Sequence, residues 1–260
     1  MSTVIYPSPI FGPVHSRRLG ISLGINLMPA DGKVCTFDCI YCECGFNADH
    51  RPKSKRPTRE EVAEALERKL AEMVSDGQLP DVLTFAGNGE PTAHPDFGGI
   101  IDDTIRLRDK YCPKAKVSVL SNATRAMLPE VHKALERVDN NILKLDTVDQ
   151  AYIEKVNRPT YYSTYDVKEV IEAIRSFGGK AIVQTMFMGG TMNGEDVDNT
   201  GEEYVGPWLE AVKYIKPRKV MIYTIDRETP DHDLKKTSPE VLDAIRDRVT
   251  ALGIDCSAAY

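Results

Sequence analysis

The sequence predicts an α/β fold in which mostly parallel strands form a partial (β/α)6 barrel. Six short apolar segments recur along the 260 residues, and segments with helical periodicity separate them. Continuous apolar runs of this length are typical of strands that are buried on both faces of a parallel sheet. Six units are too few for the closed eight-stranded barrel, and a flat, doubly wound sheet is the competing architecture.

The predicted strands are short and rich in apolar and β-branched residues. Sequential right-handed crossovers between such strands give a parallel sheet that closes partly into a barrel. The predicted strand segments are 20–27, 81–85, 116–120, 141–146, 180–187 and 219–225.

The first predicted helix begins with a capping box, in which Thr58 and Glu61 each accept a hydrogen bond from the other's backbone N–H. The apolar residues that fall on one face of this helix are Val62, Leu66, Leu70 and Met73. Further helices are predicted over 96–111 and 128–137, from Ser163 to Phe177, after Gly206-Pro207, and from Ser238-Pro239. Because no linker or repeat divides the chain, we expect a single domain over residues 1–260.

Composition and charge exclude several classes of protein. The proportions of apolar, charged, glycine and proline residues are those of a globular protein, which excludes disorder, collagen and coiled coil for the whole chain. No apolar run approaches the roughly 20 residues that span a bilayer, and the first 20 residues lack the features of a signal peptide. We therefore expect a cytoplasmic protein that does not bind membranes.

The net charge of −6 conceals one basic segment. Residues 51–59 contain five basic side chains and no acidic one. This strip is a candidate for contact with RNA phosphates or another anion. The alternative interpretation is a solvated loop that leads into the first helix.

The six cysteines indicate a metal or cluster site rather than disulfides. Four of them, Cys35, Cys39, Cys42 and Cys44, lie within ten residues, whereas Cys112 and Cys256 are remote and are interpreted as packing residues. Thiols in a cytosolic chain stay reduced, so a tight cysteine cluster is typical of a metal or iron–sulfur site.

The spacing C-x3-C-x2-C admits two interpretations. Three thiolates on one short loop can hold three irons of a cubane cluster and leave the fourth iron open to another ligand. A zinc site with Cys44 as the fourth thiolate is the alternative. The single residue between Cys42 and Cys44 makes a shared tetrahedral site awkward, and the role of Cys44 stays open.

This spacing, with Tyr41 directly before the third cysteine, resembles that of the radical S-adenosylmethionine (SAM) superfamily. The resemblance implies the partial radical SAM barrel, a [4Fe–4S] cluster and S-adenosylmethionine as cofactors. It implies Cys35, Cys39 and Cys42 as both the cluster ligands and the catalytic residues. It also implies that Tyr41 lies beside the adenine of S-adenosylmethionine.

A second motif, AGNGEPT over residues 86–92, follows the second predicted strand. It resembles the Gly-Gly-Glu-Pro segment that receives the methionine amino group in this superfamily. Glycines allow a ligand to approach the backbone closely, and a carboxylate accepts hydrogen bonds from an ammonium group. Asn88 departs from the strict Gly-Gly pair. The matching positions are Gly87, Asn88, Gly89, Glu90 and Pro91.

Polar residues at the ends of the later strands are further candidates for cofactor binding. Lys144 and Asp146 are two residues apart and therefore share one face of their strand. Buried charges of this kind pair with each other or bind a ligand. The remaining candidates are Ser121 and Asn122 for the ribose, with Gln184 and Thr224 on the fifth and sixth strands.

The resemblance implies a radical enzyme. Such an enzyme takes one electron from a donor such as flavodoxin or ferredoxin and reductively cleaves S-adenosylmethionine. The resulting 5′-deoxyadenosyl radical abstracts hydrogen from a substrate, which here is an unidentified small molecule, peptide or protein. Several segments, including KLDTVDQAYIEKVNRP, resemble the small wyosine-synthase-like subgroup, so a tRNA base modifier of wyosine type is one alternative. A non-catalytic metal-binding or redox-sensing module is the other.

Overall fold

A curled eight-stranded sheet forms a half-barrel and organises the rest of the chain. The computed structural model describes residues 3–16, 19–160 and 165–260. The strands in chain order are β1 (Ile10–Ser16), β2 (Gly20–Ile25), β3 (Val82–Phe85), β4 (Lys116–Ser121), β5 (Asn140–Lys144), β6 (Ile182–Met186), β7 (Met188–Met192), β8 (Glu195–Asp196), β9 (Lys219–Tyr223), β10 (Leu234–Lys236) and β11 (Asp255–Ala259).

The large sheet has the order β1-β2-β3-β4-β5-β6-β9-β11. Every pair from β2 to β11 is parallel, and only β1 runs antiparallel to its neighbour. All six predicted strands are present, which confirms the α/β half-barrel with mostly parallel strands.

Two strands of the large sheet were not predicted. The edge strand β1 contains Gly12 and Pro13, which weaken a strand signal but are tolerated at a sheet edge. The strand β11 reads Asp-Cys-Ser-Ala-Ala and lacks the apolar run of a buried strand. It forms because it pairs with β9 in register from Asp255 opposite Lys219 to Ala259 opposite Tyr223. Tertiary pairing therefore overrides a weak local preference.

A separate antiparallel sheet in the order β10-β7-β8 lies beyond β6. Its strand β7 carries Gly189 and Gly190. An added Cβ at Gly190 would lie 2.2 Å from the carbonyl oxygen of Asp233, so the close approach of β10 requires glycine at this position. The glycines also explain why the sequence pattern of β7 did not predict a strand.

The helices occupy the connections between the strands. They are α1 (Arg59–Ser75), α2 (Phe97–Tyr111), α3 (Pro129–Arg137), α4 (Gln150–Val156), α5 (Val167–Arg175), α6 (Glu202–Ile215) and α7 (Pro239–Ala251), with a short 3₁₀ helix over Pro91–Ala93. The predicted caps of α1 by Thr58 and of α7 by Ser238 are both present. The helix α4 was not predicted.

Two predicted helix starts are corrected. Ser163 lies outside the described residues, and the helix assigned to it begins at Val167, with the side chain of Asp166 accepting a hydrogen bond from the Lys168 N–H. Pro207 does not precede α6 but lies inside it. The helix begins five residues earlier, because two glutamates in its first turn interact favourably with the helix dipole.

The two faces of the sheet differ. On β5, Leu143 belongs to the large core between the sheet and the helices, which also includes Phe85 and Trp208. Its neighbour Ile142 points to the opposite, inner face and packs with Ile182 and Met221. The inner face therefore has an apolar floor beneath the carboxyl ends of the strands. Among the described residues, no helix is long and apolar enough to cross a membrane.

The capping box of α1 makes a first testable prediction. The Glu61 N–H donates to Thr58 Oγ1 at 3.2 Å, and the Thr58 N–H donates to Glu61 Oε2 at 2.7 Å. We expect Thr58→Ala to lower the free energy of unfolding in urea by about 1 kcal/mol. The control Thr250→Ala, on the exposed side of α7, should change it by less than about 0.5 kcal/mol. Equal losses in the two variants would contradict this assignment.

Candidate functional site

The three cysteines of the C-x3-C-x2-C motif lie on the long connection between β2 and α1, here called the Cys loop (residues 26–58). Its conformation is fixed by Asn47 and Asp38. The Cys35 N–H donates to Asn47 Oδ1 at 3.0 Å, and the Asn47 N–H donates to Asp38 Oδ1 at 2.8 Å. Hydrogen bonds of this kind hold an irregular loop in one conformation, so the cysteines keep defined positions.

A buried ammonium group lies beside all three thiols. The side chain of Lys33 is 1% exposed, and its Nζ lies 3.3 Å from Asp38 Oδ1 and donates to the Gly45 carbonyl oxygen at 2.5 Å. Burial lowers the pKa of Lys33, but the neighbouring sulfurs of Cys42, Cys35 and Cys39, together with Asp38, raise it by more. The loop therefore carries a fixed positive charge next to three soft sulfur donors. This donor set fits an iron–sulfur cluster.

The thiols themselves have different environments. Burial raises the pKa of Cys35 to about 12 and also raises the pKa of Cys39. A hydrogen bond between the thiols of Cys44 and Cys42 lowers the pKa of Cys42, and the Lys33 charge lowers it further. Thiolate character is therefore concentrated at Cys42, the third cysteine of the motif.

Cys44 joins the Cys loop to the glycine-rich turn at residues 86–92. Its buried thiol donates to the Gly87 carbonyl oxygen at 3.4 Å. Among the described residues, no three His, Cys, Asp or Glu side chains converge on a point that could hold one metal ion. Cys44 therefore lies between the Cys42 thiol and the Gly87 carbonyl oxygen, and its one S–H proton is shared between these two acceptors.

The glycine-rich turn packs directly against the Cys loop. The Val34 N–H donates to the Asn88 carbonyl oxygen at 2.9 Å, and the Glu90 N–H donates to the Val34 carbonyl oxygen at 3.2 Å. Gly89 lies between these bonds with φ +145°, and an added Cβ would lie 1.8 Å from the Val34 oxygen. Only glycine allows this approach.

Asn88 anchors the N-terminal segment to the turn. Its Nδ2 donates to the carbonyl oxygens of Tyr6 at 2.8 Å and Pro29 at 2.9 Å, while its Oδ1 accepts from the Tyr6 N–H at 2.8 Å. The side chain is fully buried. These bonds occupy both ends of the amide, so asparagine has a structural role at the position where the turn departs from a strict Gly-Gly pair.

Glu90, Ser121 and Asn122, predicted to contact different parts of the cofactor, are bonded to one another. The Ser121 hydroxyl donates to Glu90 Oε1 and the Asn122 N–H donates to Glu90 Oε2, both at 2.8 Å. Burial raises the pKa of Glu90, although these bonds and those from Thr92 act in the opposite direction. The carboxylate therefore links the end of β3 to the end of β4. Pro91 follows it as the first residue of the 3₁₀ helix.

Tyr41, Lys144 and Asp146 form one buried polar network. The Tyr41 hydroxyl donates to Asp146 Oδ2. Lys144 Nζ donates to the Tyr41 hydroxyl oxygen at 2.8 Å and lies 3.7 Å from Asp146 Oδ2. Burial raises the pKa of Tyr41 well above its usual value, and the charge of Asp146 raises it further. The predicted pair of charges on β5 is therefore a real pair, and it holds the predicted adenine-side tyrosine in place.

Asn157, at the end of α4, belongs to this network and was missed in the sequence. Its Nδ2 lies 2.7 Å from Asp146 Oδ2, 2.9 Å from the Tyr41 hydroxyl oxygen and 3.5 Å from Cys39 Sγ. The asparagine precedes Arg158-Pro159 in the segment that resembles the wyosine-type enzymes, but a polar residue near the end of a helix has no distinguishing pattern.

The other two candidates differ in their surroundings. Gln184 on β6 lies opposite Lys144 of β5 and Met221 of β9. It is 6% exposed and lies on the inner face of the sheet. Thr224, by contrast, accepts a hydrogen bond from the Thr237 N–H at 2.8 Å and ties the end of β9 to the segment after β10.

The contact between the Cys loop and the turn predicts the outcome of a glycine substitution. Gly89→Ala must displace the Val34 carbonyl, so we expect it to lower the free energy of unfolding by more than twice as much as Gly77→Ala. Gly77 has φ +68° with open space around it, and its substitution should cost about 1–2 kcal/mol.

Thiol-labelling rates provide a second readout for the same pair of variants. Labelling of the cysteines in the Cys loop should accelerate in Gly89→Ala and stay unchanged in Gly77→Ala. Equal effects of the two substitutions on stability and labelling would contradict the proposed packing.

Comparison with known proteins identifies the family. The family model of the radical SAM superfamily matches residues 31–204, which include residues 31–58 of the Cys loop, the glycine-rich turn and the network around Tyr41. A UPF0026 protein of Helicobacter pylori is 32% identical over 241 residues, which are 90% of this chain and 71% of the relative.

Solved structures share the fold at low sequence identity. SuiB of Streptococcus suis, crystallised with S-adenosylmethionine, matches with a TM-score of 0.64 and 14% identity over 91% of this chain. The chain spans 50% of the length of SuiB. TYW1, in a structure with a lysine-pyruvate adduct bound, matches with a TM-score of 0.59 and 12% identity, over 88% of this chain and 73% of TYW1. The family match and the curated relative together show that the chain belongs to the radical SAM superfamily, whose members are enzymes that bind a [4Fe–4S] cluster and S-adenosylmethionine.

Proposed function

We propose that Cys35, Cys39 and Cys42 ligate three irons of a [4Fe–4S] cluster and that the chain reductively cleaves S-adenosylmethionine. One observation carries the proposal: the three cysteines lie on a loop with one buried ammonium, Lys33, whose pKa all three sulfurs raise, and this loop packs against the glycine-rich turn. The Lys33 charge offsets part of the negative charge of thiolates held in a buried environment.

S-adenosylmethionine would lie over the carboxyl ends of the strands, between the glycine-rich turn and the network of Tyr41, Lys144 and Asp146. When bound, the cluster and S-adenosylmethionine supply one-electron cleavage of a carbon–sulfur bond and a 5′-deoxyadenosyl radical that abstracts hydrogen from the substrate. The residues of the chain orient the cofactor and exclude water from it. Lys144 fixes the Tyr41 hydroxyl, and the two glycines allow the turn to pack closely against Asn26 and the Val34 backbone, which fixes its position.

The internal bonds of the site refine the roles of the predicted residues. Glu90 keeps its contacts with Ser121 and Asn122, so its carboxylate acts mainly by fixing the turn relative to β4. Asn88 and Thr224 act as structural residues through their backbone partners. The Gln184 amide, on the inner face of the barrel between Lys144 and Met221, is the remaining candidate for a direct contact with the ligand.

The substrate in this proposal is a small molecule, peptide or protein that reaches the inner face of the half-barrel. The apolar floor of Ile142, Ile182 and Met221 closes this face from below, so the substrate enters from the carboxyl ends of the strands. Electrons come from a one-electron donor of the flavodoxin or ferredoxin class.

A tRNA base modifier of wyosine type is the second candidate function. The observation that favours it is the basic strip at residues 51–59, where Arg51, Lys53 and Lys55 are exposed. Arg59 is engaged elsewhere, because its Nε lies 2.7 Å from Asp103 Oδ2. Retention of tRNA that weakens steeply with salt would favour this candidate. Retention of tRNA that does not depend on salt, or no retention of tRNA, would instead favour a small molecule, peptide or protein as the substrate.

Anaerobic reconstitution tests the proposed function. We expect about four iron and four sulfide per chain, together with 5′-deoxyadenosine production when dithionite and S-adenosylmethionine are added. Cys39→Ala should lose both, because it removes a ligand. Cys256→Ala should keep both, because Cys256 lies on β11 and packs against the helix-covered core.

Two results would contradict the proposal. The first is a tetrahedral zinc spectrum without any cleavage of S-adenosylmethionine, which would favour a non-catalytic metal-binding module. The second is equal loss of iron in Cys39→Ala and Cys256→Ala, because iron binding would then not depend specifically on Cys39 as a ligand.

A further inference from the structure

The amide of Asn157 touches both halves of the site at once. The residue is 1% exposed, and its Nδ2 lies within hydrogen-bonding distance of Asp146, Tyr41 and the sulfur of Cys39. The first two partners belong to the network assigned above to the cofactor, and the third is a proposed cluster ligand. No other described side chain contacts the Cys39 thiol together with that network by hydrogen bonds.

The orientation of the amide is set by its partners. Asp146 forms an ion pair with Lys144, and its second oxygen accepts from the Met186 N–H at 2.9 Å. The carboxylate is therefore an acceptor, and the group 2.7 Å from it must be the NH2 end of Asn157. It follows that the same NH2 group, and not the amide oxygen, faces Cys39 Sγ. One of its two protons goes to Asp146 Oδ2, and the other lies between the Tyr41 hydroxyl oxygen at 2.9 Å and Cys39 Sγ at 3.5 Å, so the bond to sulfur is one branch of a bifurcated hydrogen bond.

The backbone holds Asn157 rigidly against the Cys loop. The Asp38 N–H donates to the Asn157 carbonyl oxygen at 2.9 Å, and the Ile40 N–H donates to the Val156 carbonyl oxygen at 3.0 Å. The Thr160 N–H donates to the Thr36 carbonyl oxygen at 2.8 Å. The segment after α4 and the first half of the Cys motif thus run side by side, and these bonds flank Cys39 on both sides.

We propose that Asn157 is a positioning residue that sets the reduction potential of the cluster through an N–H···S hydrogen bond to Cys39. The inference rests on the proposed ligation of the cluster by Cys39. A donor to a ligating sulfur withdraws electron density from the thiolate, which stabilises the more negative, reduced cluster and raises its potential. In this step the cluster takes one electron from a flavodoxin-class donor, no bond forms or breaks, and Asn157 keeps both of its protons.

Cys35 receives support of the same kind from the backbone, at the same distance, and from a more distant side chain. The Phe37 N–H lies 3.5 Å from Cys35 Sγ, whereas Asn122 Nδ2 lies 3.8 Å from it and donates more closely to the Thr36 hydroxyl oxygen at 2.8 Å. Of these two side-chain amides, Asn157 lies closer to a motif sulfur, at 3.5 Å against 3.8 Å for Asn122, so its removal should have the larger effect on the cluster.

The test is an anaerobic redox titration of Asn157→Ala followed by electron paramagnetic resonance. At the solution potential that half-reduces the native cluster, the ratio of reduced to oxidised cluster should fall about three- to tenfold in the variant, with iron content unchanged. The matched control is Asn199→Ala. Asn199 is equally buried and loses two comparable bonds, to the Met186 carbonyl oxygen and the Met188 N–H, but does not contact the Cys loop.

An unchanged midpoint potential in Asn157→Ala that keeps its iron would overturn the inference. So would an equal shift in Asn199→Ala, because it would indicate a general effect of a destabilised fold. The proposed function is judged separately, since the native protein in the same titration must carry the cluster and cleave S-adenosylmethionine.

A second measurement covers the case in which Asn157→Ala does not fold. Native protein labelled with ¹⁵N-asparagine should show a hyperfine coupling between the reduced cluster and an amide nitrogen. Native protein with a reduced cluster and no such coupling would overturn the inference without any substitution.

Discussion

The close approach of two backbone segments, Val34 of the Cys loop and Gly89 of the glycine-rich turn, is the contact on which the site depends. The cysteines lie on a long connection with no regular secondary structure, so their positions must be imposed from outside. The paired bonds between Val34, Asn88 and Glu90 attach this connection to the end of β3. The sheet, whose strands are hydrogen-bonded to one another, thereby fixes the loop that carries the sulfur donors.

Other contacts extend this attachment around the site. Glu90 connects the end of β3 to the end of β4, because its carboxylate accepts hydrogen bonds from Ser121 and Asn122. The segment after α4, which follows β5 in the chain, makes backbone hydrogen bonds to the Cys loop. Buried polar groups in such a network are stabilising only when all of them have partners. The ends of β3 and β4 and the segment that follows β5 are thus each connected to the Cys loop, which carries the buried cation at Lys33. A preorganised site of this kind suits a cofactor whose chemistry depends on the exclusion of water.

The sequence predicted the strands well, because parallel strands buried on both faces carry the strongest apolar signal. It failed where local signals are weak: β11 has small residues, β1 contains Gly-Pro, and α6 contains Pro207 in its second turn. The cysteine motif and the glycine-rich turn could be predicted because the residues of each motif are close together in the sequence. The partners of Asn88 and Asn157 were not visible, since they come from segments 82 and up to 118 residues away.

Mössbauer spectroscopy of protein reconstituted with ⁵⁷Fe tests the central claim most directly, because it observes each iron of the cluster. If three cysteines leave one iron open, addition of S-adenosylmethionine should change the signal of about one quarter of the iron and leave the rest unchanged. A spectrum in which all the iron is equivalent and does not respond to S-adenosylmethionine would contradict the account.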